Sequence, residues 1–268
     1  MNNVATETIV RIALLGAAGR MGRAVLELAQ DYPGVQISAA LVRAGYAAPS
    51  ALHGIKFSTD LRAALAASDV LLDFSTPAST AVALDACLAV GKPLVTGVTG
   101  MDDELRARLL VASGRIALLV APNMSLGANL LLALTRTAAA ALGPEYDLEI
   151  TDIHHRSKRD APSGTALALG EAAASARHQH LEDQAVFTRH AKSQPRREGS
   201  IGFASLRAGD AAGEHRVLFG GPAETLELAH HAASRAAFAR GALAAARWIA
   251  RQPPGLYNMA EVLNLPRA

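Results

Sequence analysis

One cysteine, Cys87, stands among 268 residues, so no internal disulfide can form and a small domain stapled by such bridges is excluded. Aromatic residues make up only 4% of the chain, too few for the stacking platform that holds single-stranded nucleic acid. An excess of either charge is also missing. The 26 Lys and Arg against 24 Asp and Glu leave a formal charge of +2, far from the basic stripe of a nucleic-acid binder. No run of about eighteen apolar residues could span a bilayer, and the start MNNVATET lacks the cationic and apolar parts of a signal peptide. The expectation is a cytoplasmic protein whose partners include neither nucleic acid nor membrane. Cys87, inside AVALDACLAV, is expected to be a buried structural thiol.

Apolar residues, alanine above all, fill half the chain, enough for one large α/β domain or two smaller ones. Residues 9–15 (IVRIALL) suit a buried parallel strand, and GAAGRMG follows at once and leads into the helical pattern RAVLELAQ. Strand, glycine turn and helix form the dinucleotide-binding context. Gly16 allows the tight turn, Gly19 lets backbone approach a pyrophosphate, and Gly22 lets helix pack on strand. The spacing GxxGxxG is one residue off the usual form, and a turn that merely joins strand to helix is the plain alternative. The second strand, 35–42, ends at Val42 and Arg43, where an acid would bind the ribose hydroxyls of NAD. Arg43, with Arg20 in the glycine loop, suits a 2′-phosphate and hence NADP.

Residues 44–58 read as a connection, and a short helix (LRAALAA) follows. Strands 69–75, 92–97 and 115–123 then alternate with helices 79–90 and 103–112, the pattern of a doubly wound parallel sheet. Phe74, Gly97, Thr99, Ala121 and Asn123 fall at strand C-termini, where such sheets bind ligands, and are candidates for the nicotinamide half of a cofactor. From Ser125 the alternation stops. A long apolar helix through Leu142 is followed by strands at 146–154, about 185–190, 200–208, 214–220 and 224–231, read as an open, mostly antiparallel sheet. The polar stretch 190–200 reads as a linker, helix 235–251 returns to the first domain, and the tail MAEVLNL offers one further short element. The expected fold is therefore α/β. A Rossmann-like domain of residues 1–124 plus 236–268 carries an inserted α+β domain of residues 125–235.

EITDIHHRSKRDAPSGTA, residues 149–166, is the chemical centre of this reading. A strand marked by Leu148, Ile150 and Ile153 delivers His154, His155, Arg156, Lys158 and Arg159 into the loop beyond it. Asp160, Ala161 and Pro162 break the chain, and Ser163 caps a helix whose start can hold an anion. Imidazoles, a lysine and a helix start within a few residues suit a site that binds a carboxylate and moves a proton. A solvated cationic loop is the plain alternative.

GAAGRMG, DFSTP, GVTG, APNMSLGAN, the HHRSKRDAPSGTA block, GSIGFASLRAGDAAGEH and SRAAFARGA together resemble the 4-hydroxy-tetrahydrodipicolinate (dihydrodipicolinate) reductase family of bacterial lysine and diaminopimelate biosynthesis, over nearly the whole chain. The resemblance implies a two-domain homotetramer with NAD(P)H on the first domain and a cyclic dicarboxylate imine between the domains. By that likeness His154 would donate a proton, His155 and Lys158 would contact substrate, and Gly164 with Thr165 would hold a carboxylate, with Arg235 also on the substrate side. The cofactor contacts carried over are Gly16, Arg20, Met21, Gly22, Gly97, Thr99, Ala121 and Met124. Val42 and Thr76 depart from some relatives, which carry an acid and a cofactor-touching arginine there. Both departures bear on coenzyme choice, for which NADPH is expected and NADH possible. No metal is called for. The other readings are an NAD(P)-binding oxidoreductase of a different small substrate, such as a sugar or amino acid, and a nucleotide-sensing regulator, which would have no use for a proton donor.

Overall fold

The short apolar runs of the first half have no consistently polar face, so they must be covered on both sides, as strands of a parallel sheet are. The computed structural model describes residues 8–46, 54–190 and 195–265. In chain order the elements are β1 (Val10–Leu15), α1 (Arg20–Leu28), β2 (Val35–Leu41), β3 (Phe57–Ser58), α2 (Leu61–Ala66), β4 (Val70–Asp73), α3 (Pro77–Val90), β5 (Leu94–Thr96), α4 (Asp103–Ala112) and β6 (Ala117–Val120). Next come α5 (Leu126–Leu142), β7 (Asp147–His154), α6 (Gly164–Ala176), α7 (Leu181–Gln184), β8 (Ala185–Val186), β9 (Ile201–Arg207), β10 (Glu214–Gly220) and β11 (Thr225–His231). The last elements are α8 (Ala236–Ile249), β12 (Gly255–Tyr257) and α9 (Met259–Val262). The chain divides into two units, Met1–Leu126 with Ala236–Ala268, and Gly127–Arg235.

In the first unit seven strands run parallel in the order β12-β6-β5-β4-β1-β2-β3. Successive residues point to opposite faces, so Leu72, Val95 and Leu119 pack with α1 and α8, through Val25, Leu26, Ala242 and Leu243. Their neighbours Leu71, Leu94 and Leu118 pack on the other face with Leu65, Leu84, Leu105 and Leu109 from α2, α3 and α4. Cys87 lies fully buried in that second cluster.

In the second unit the strand order is β11-β10-β7-β9-β8. Strand β7 alternates buried and less buried positions, the mark of a sheet with one covered face. Leu148, Ile150, Phe203, Val217 and Phe219 meet Leu131 and Ala139 of α5 and Leu169 and Ala173 of α6. The sheet is mixed: β10 pairs antiparallel with β7 and β11, but β7 with β9 and β8 with β9 are parallel. The expectation of a mostly antiparallel sheet thus holds on one side only, because a period of two fixes the face of a residue and not the direction of its strand. Strand β3 falls within the connection expected at 44–58, β12 falls between helix 235–251 and the tail MAEVLNL, where no element is expected, and the strand expected near 185–190 spans two residues after the short helix α7. Elements this short show no full period. The 190–200 linker lies partly outside the described residues. Among the described residues no helix is long and apolar enough to cross a membrane.

Within the first unit, helix α8 comes close to the backbone of the segment between β6 and α5. A Cβ at Gly241 would collide with the backbone carbonyl of Met124. Alanine favours a helix interior over glycine by about 1 kcal/mol, whereas overpacking against backbone costs about 1–3 kcal/mol. Gly241→Ala is therefore expected to lower the urea midpoint of unfolding with the slope unchanged. A raised midpoint would show that the two backbones are free to separate.

Candidate active site

Parallel register aligns the strand ends of the first unit. Leu15 pairs with Asp73, Asp73 with Thr96, and Thr96 with Val120. The loops after β1, β4, β5 and β6 therefore leave one edge together, at the carboxyl ends where open α/β sheets bind ligands. Backbone bonds continue this alignment: Phe74 N–H donates to Leu15 O at 3.0 Å, Gly97 N–H to Asp73 O at 2.9 Å, and Ala121 N–H to Thr96 O at 3.0 Å. Gly16 turns with a φ of 82°, and a Cβ there would stand 2.5 Å from Phe74 O. A Cβ at Gly97 would strike the Phe74 ring and lie 3.3 Å from the methyl of Met124, so these three sit together. Thr99 is exposed on the same edge, and Asn123 Oδ1 accepts from Ser125 N at 2.9 Å.

Helix α1 begins beyond Gly19 with no side-chain cap. A Cβ at Gly19 would meet only Gly16 O, at 3.2 Å, so backbone N–H groups and open space face an approaching anion. The residues present fit a dinucleotide pyrophosphate. Arg20 and Met21 are helical residues of the first turn, with Arg20 exposed, and Gly22 is buried against the turn. Arg43 is exposed just beyond β2. Nearby, Arg23 donates to Tyr46 Oη at 3.2 Å, a cation absent from the sequence-based expectations. Beneath the edge, Asp73 is fully buried and accepts from Ser75 N (2.9 Å), Ser75 Oγ (2.5 Å), Thr80 Oγ1 (2.6 Å) and Thr96 Oγ1 (3.3 Å). Burial pushes its carboxyl up, and these hydrogen bonds oppose the push.

In the second unit His154 is not in a loop. It is the last residue of β7, 9% exposed, and it points inward with Leu148, Ile150 and Asp152. Ile153, one of the three apolar markers of this strand, lies on the other face. Asp152 is 1% exposed and takes four donors: His154 Nδ1 at 2.9 Å, Arg207 at 2.8 Å, Ser205 Oγ at 2.6 Å and Ser163 N–H at 3.2 Å. Sheet register supplies these neighbours, since Asp152 lies opposite Ser205 on β9 and His215 on β10, and His154 lies opposite Arg207. Burial pushes the Asp152 carboxyl up, but the hydrogen bonds from His154, Ser205, Ser163 and Arg207 outweigh it and hold the group well below the usual carboxylate range.

Ser163 caps α6 as expected, its Oγ accepting from Ala166 N at 3.2 Å. The same oxygen lies 3.2 Å from Nε2 of His215, which is 4% exposed. Having one donor and two lone pairs, the hydroxyl can serve the cap and this ring nitrogen together, and the direction of the second bond follows the imidazole tautomer. Burial pushes His215 down to about 4, the neighbouring His154 charge adds to this, and Asp152 opposes it. His154 and His215 rings meet edge-on, 5.2 Å apart. Gly164 is exposed at the first position of α6, with Thr165 beside it. Lys158 pairs with Asp160 at 2.9 Å, while His155 is half-buried and its N–H donates to Ala211 O at 2.9 Å. Arg156, Arg159 and Arg235 are exposed.

The block thus brings together His154 at the end of β7, His155 and Lys158 in the loop after it, and Ser163, Gly164 and Thr165 at the start of α6, a buried imidazole and a cation beside a helix start. Asp152, Ser205, Arg207 and His215 were missed as site residues. For Asp152 and His215 the signal was a polar side chain in the buried row of β7 and β10, whereas Ser205 and Arg207, on the half of β9 that is not buried, carried none.

Residues 10–124 match the family described as Dihydrodipicolinate reductase, N-terminus, and residues 127–263 match Dihydrodipicolinate reductase, C-terminus. The chain is 46% identical over 264 residues to a 4-hydroxy-tetrahydrodipicolinate reductase of Thiobacillus denitrificans, covering 96% of this chain and 99% of that one. It is 47% identical over 265 residues to one of Methylocella silvestris, covering 96% and 97%. Among solved structures it is similar to a dipicolinate-bound dihydrodipicolinate reductase from Paenisporosarcina sp. TG-14, with a TM-score of 0.77, 24% identity and coverage of 95% and 99%. That last likeness bears on the fold alone.

The buried neutral His215 has a thermodynamic consequence. Its folded pKa, about 4, lies below the ordinary value, so between the two the unfolded chain binds more protons and stability rises with pH. The contribution is complete above about pH 6.5 and is lost as pH falls toward 4, and a shift of that size corresponds to roughly 3 kcal/mol. Urea unfolding from pH 7 to pH 4.5 is expected to show this loss, and His215→Gln should flatten it. An equally steep loss in the variant would contradict the buried neutral imidazole.

Proposed function

The chain belongs to the dihydrodipicolinate reductase family, and we infer that it reduces 4-hydroxy-tetrahydrodipicolinate with a pyridine nucleotide in lysine biosynthesis, His154 delivering the proton. A bound nicotinamide supplies the hydride. The first unit takes the nucleotide, through the turn Gly16–Gly22 and the strand-end residues Phe74, Gly97, Thr99, Ala121, Asn123 and Met124. The second takes the substrate. The observation that carries this division is His154 itself, a nearly buried imidazole fixed through Nδ1 beside a helix start suited to a carboxylate.

His154 keeps Nδ1–H on Asp152, so Nε2 is the nitrogen that gives up a proton to the position gaining electron density. Gly164 and Thr165 N–H groups at the α6 start hold one substrate carboxylate. Lys158, His155 and Arg235 offset the dianion's remaining charge, Lys158 by exchanging Asp160 for substrate. For the coenzyme, NADPH is the preferred form: Val42 and exposed Arg43 follow β2, and no acid stands there to bind the ribose hydroxyls. The largely exposed edge strand β11 suits pairing of copies of the chain into a homotetramer.

His154→Gln is expected to lower kcat about 10²- to 10⁴-fold, the usual contribution of a general acid, with NADPH affinity unchanged. Coenzyme oxidation with freshly generated substrate measures the first and fluorescence titration the second. A variant with near wild-type kcat would remove His154 from the proton step. Arg43→Ala is expected to raise KM for NADPH several-fold, in line with about 1–2 kcal/mol for a lost charge-assisted bond, and to leave that for NADH alone. Equal effects on both coenzymes would place Arg43 away from the 2′-phosphate.

A further inference from the structure

We propose that Asp152 is the positioning residue that fixes the proton donor and the carboxylate-holding helix start as one unit. This rests on the reading of His154 as proton donor and of the α6 start as the carboxylate site. The two carboxylate oxygens divide the work. Oδ1 accepts from His154 Nδ1 at 2.9 Å and from Arg207 at 2.8 Å. Oδ2 accepts from Ser163 N–H at 3.2 Å and Ser205 Oγ at 2.6 Å. One 1%-exposed group therefore orients the imidazole through one atom and the first turn of α6 through the other.

Each half has a chemical effect that a buried ion pair alone would not have. On the first side, an ionised carboxylate accepts only, so the imidazole must keep its proton on Nδ1 whether neutral or charged, and exchange occurs at Nε2. A side chain at Gly213 would place its Cβ 3.2 Å from that Nε2, so the absence of one leaves space beside it. On the second side, Ser163 is held from three directions. Its N–H donates to Asp152, its Oγ accepts from Ala166 N, and the same hydroxyl shares a hydrogen bond with His215 Nε2. That fixes the peptide orientation from which Gly164 and Thr165 follow. Arg207 on β9 balances the charge of Asp152 at 2.8 Å. His154 also faces His215 on β10, whose ring is 5.2 Å away, and Lys158, paired with Asp160 in the loop after β7, is close enough to His215 for its charge to act there.

An amide cannot serve both halves. In Asp152→Asn one oxygen becomes an NH2 group, which opposes either His154 Nδ1–H and Arg207 or the Ser163 N–H, donor against donor. Loss of one charge-assisted hydrogen bond corresponds to roughly a 10- to 100-fold change.

The test compares Asp152→Asn, Ser205→Ala and His154→Gln in the full chain by kcat, KM for substrate and for NADPH, the pH profile of kcat, and nitrogen NMR of the His154 ring. Asp152→Asn is expected to lower kcat/KM for substrate roughly 10- to 100-fold, leave KM for NADPH unchanged, and move the limb of the profile that reports the imidazolium to lower pH. The nitrogen signal of Nδ1 should lose its protonated-nitrogen character. Ser205→Ala, which removes a single donor from Oδ2, should raise substrate KM several-fold and leave the His154 signal alone. A folded Asp152→Asn with kcat, substrate KM, profile and ring signal all within twofold of the parent overturns the proposal. If that variant does not fold, unchanged substrate KM in Ser205→Ala overturns it. A wild-type kcat in His154→Gln would overturn the donor reading instead, and Asp152→Asn would then still raise substrate KM through Ser163.

Discussion

A carboxylate almost out of reach of water is stable as an anion only if donors surround it, and in the second unit four donors surround Asp152. Everything chemically useful in that unit hangs from this requirement. Two of the donors sit on the adjacent strand β9, the third is the last residue of the same strand, and the fourth is the backbone of the residue that caps α6. Burial of the charge alone would favour the neutral acid. The cationic Arg207 and the hydrogen-bond set reverse that preference, so the group that faces His154 is an acceptor at every pH at which the protein works.

Asp73 occupies a comparable place in the first unit and shows what the cation adds. It ends β4 and gathers donors from the following loop, from α3 and from β5: Ser75, Thr80 and Thr96. No arginine stands against it among the described residues, and burial prevails, pushing its carboxyl up. Asp73 ties together the loops after β4 and β5, where a nicotinamide is expected, without offering a proton-transfer partner. Each unit thus has a buried carboxylate near the end of a strand that gathers donors from neighbouring segments, and only the one in the second unit bonds an imidazole.

Legibility in the sequence followed the length of the pattern. The parallel strands, GAAGRMG with its positive-φ Gly16, the α6 cap at Ser163 and the HHRSKRDAPSGTA block all carry local signals several residues long, and each lies where local chemistry requires. The remaining parts of the site have no local signature. Ser205, Arg207 and His215 are about fifty residues or more from Asp152, and only strand register, parallel on one side and antiparallel on the other, brings them together. A hint was present in β7, where Asp152 and His154 continue the inward row of Leu148 and Ile150. The expected strand 146–154 already reaches His154, but taking Ile153 as its third apolar marker hides the row that joins the histidine to its carboxylate. Strand direction, and elements as short as β3, β12 and α7, lie below what periodicity can resolve.

The most direct measurement is a crystal structure of the full chain with oxidised NADP and dipicolinate bound. One dipicolinate carboxylate should accept from the Gly164 and Thr165 N–H groups, with His154 Nε2 turned to the pyridine ring and Nδ1 still on Asp152. A ligand carboxylate held elsewhere, or a His154 ring rotated off Asp152 in that complex, would contradict the account.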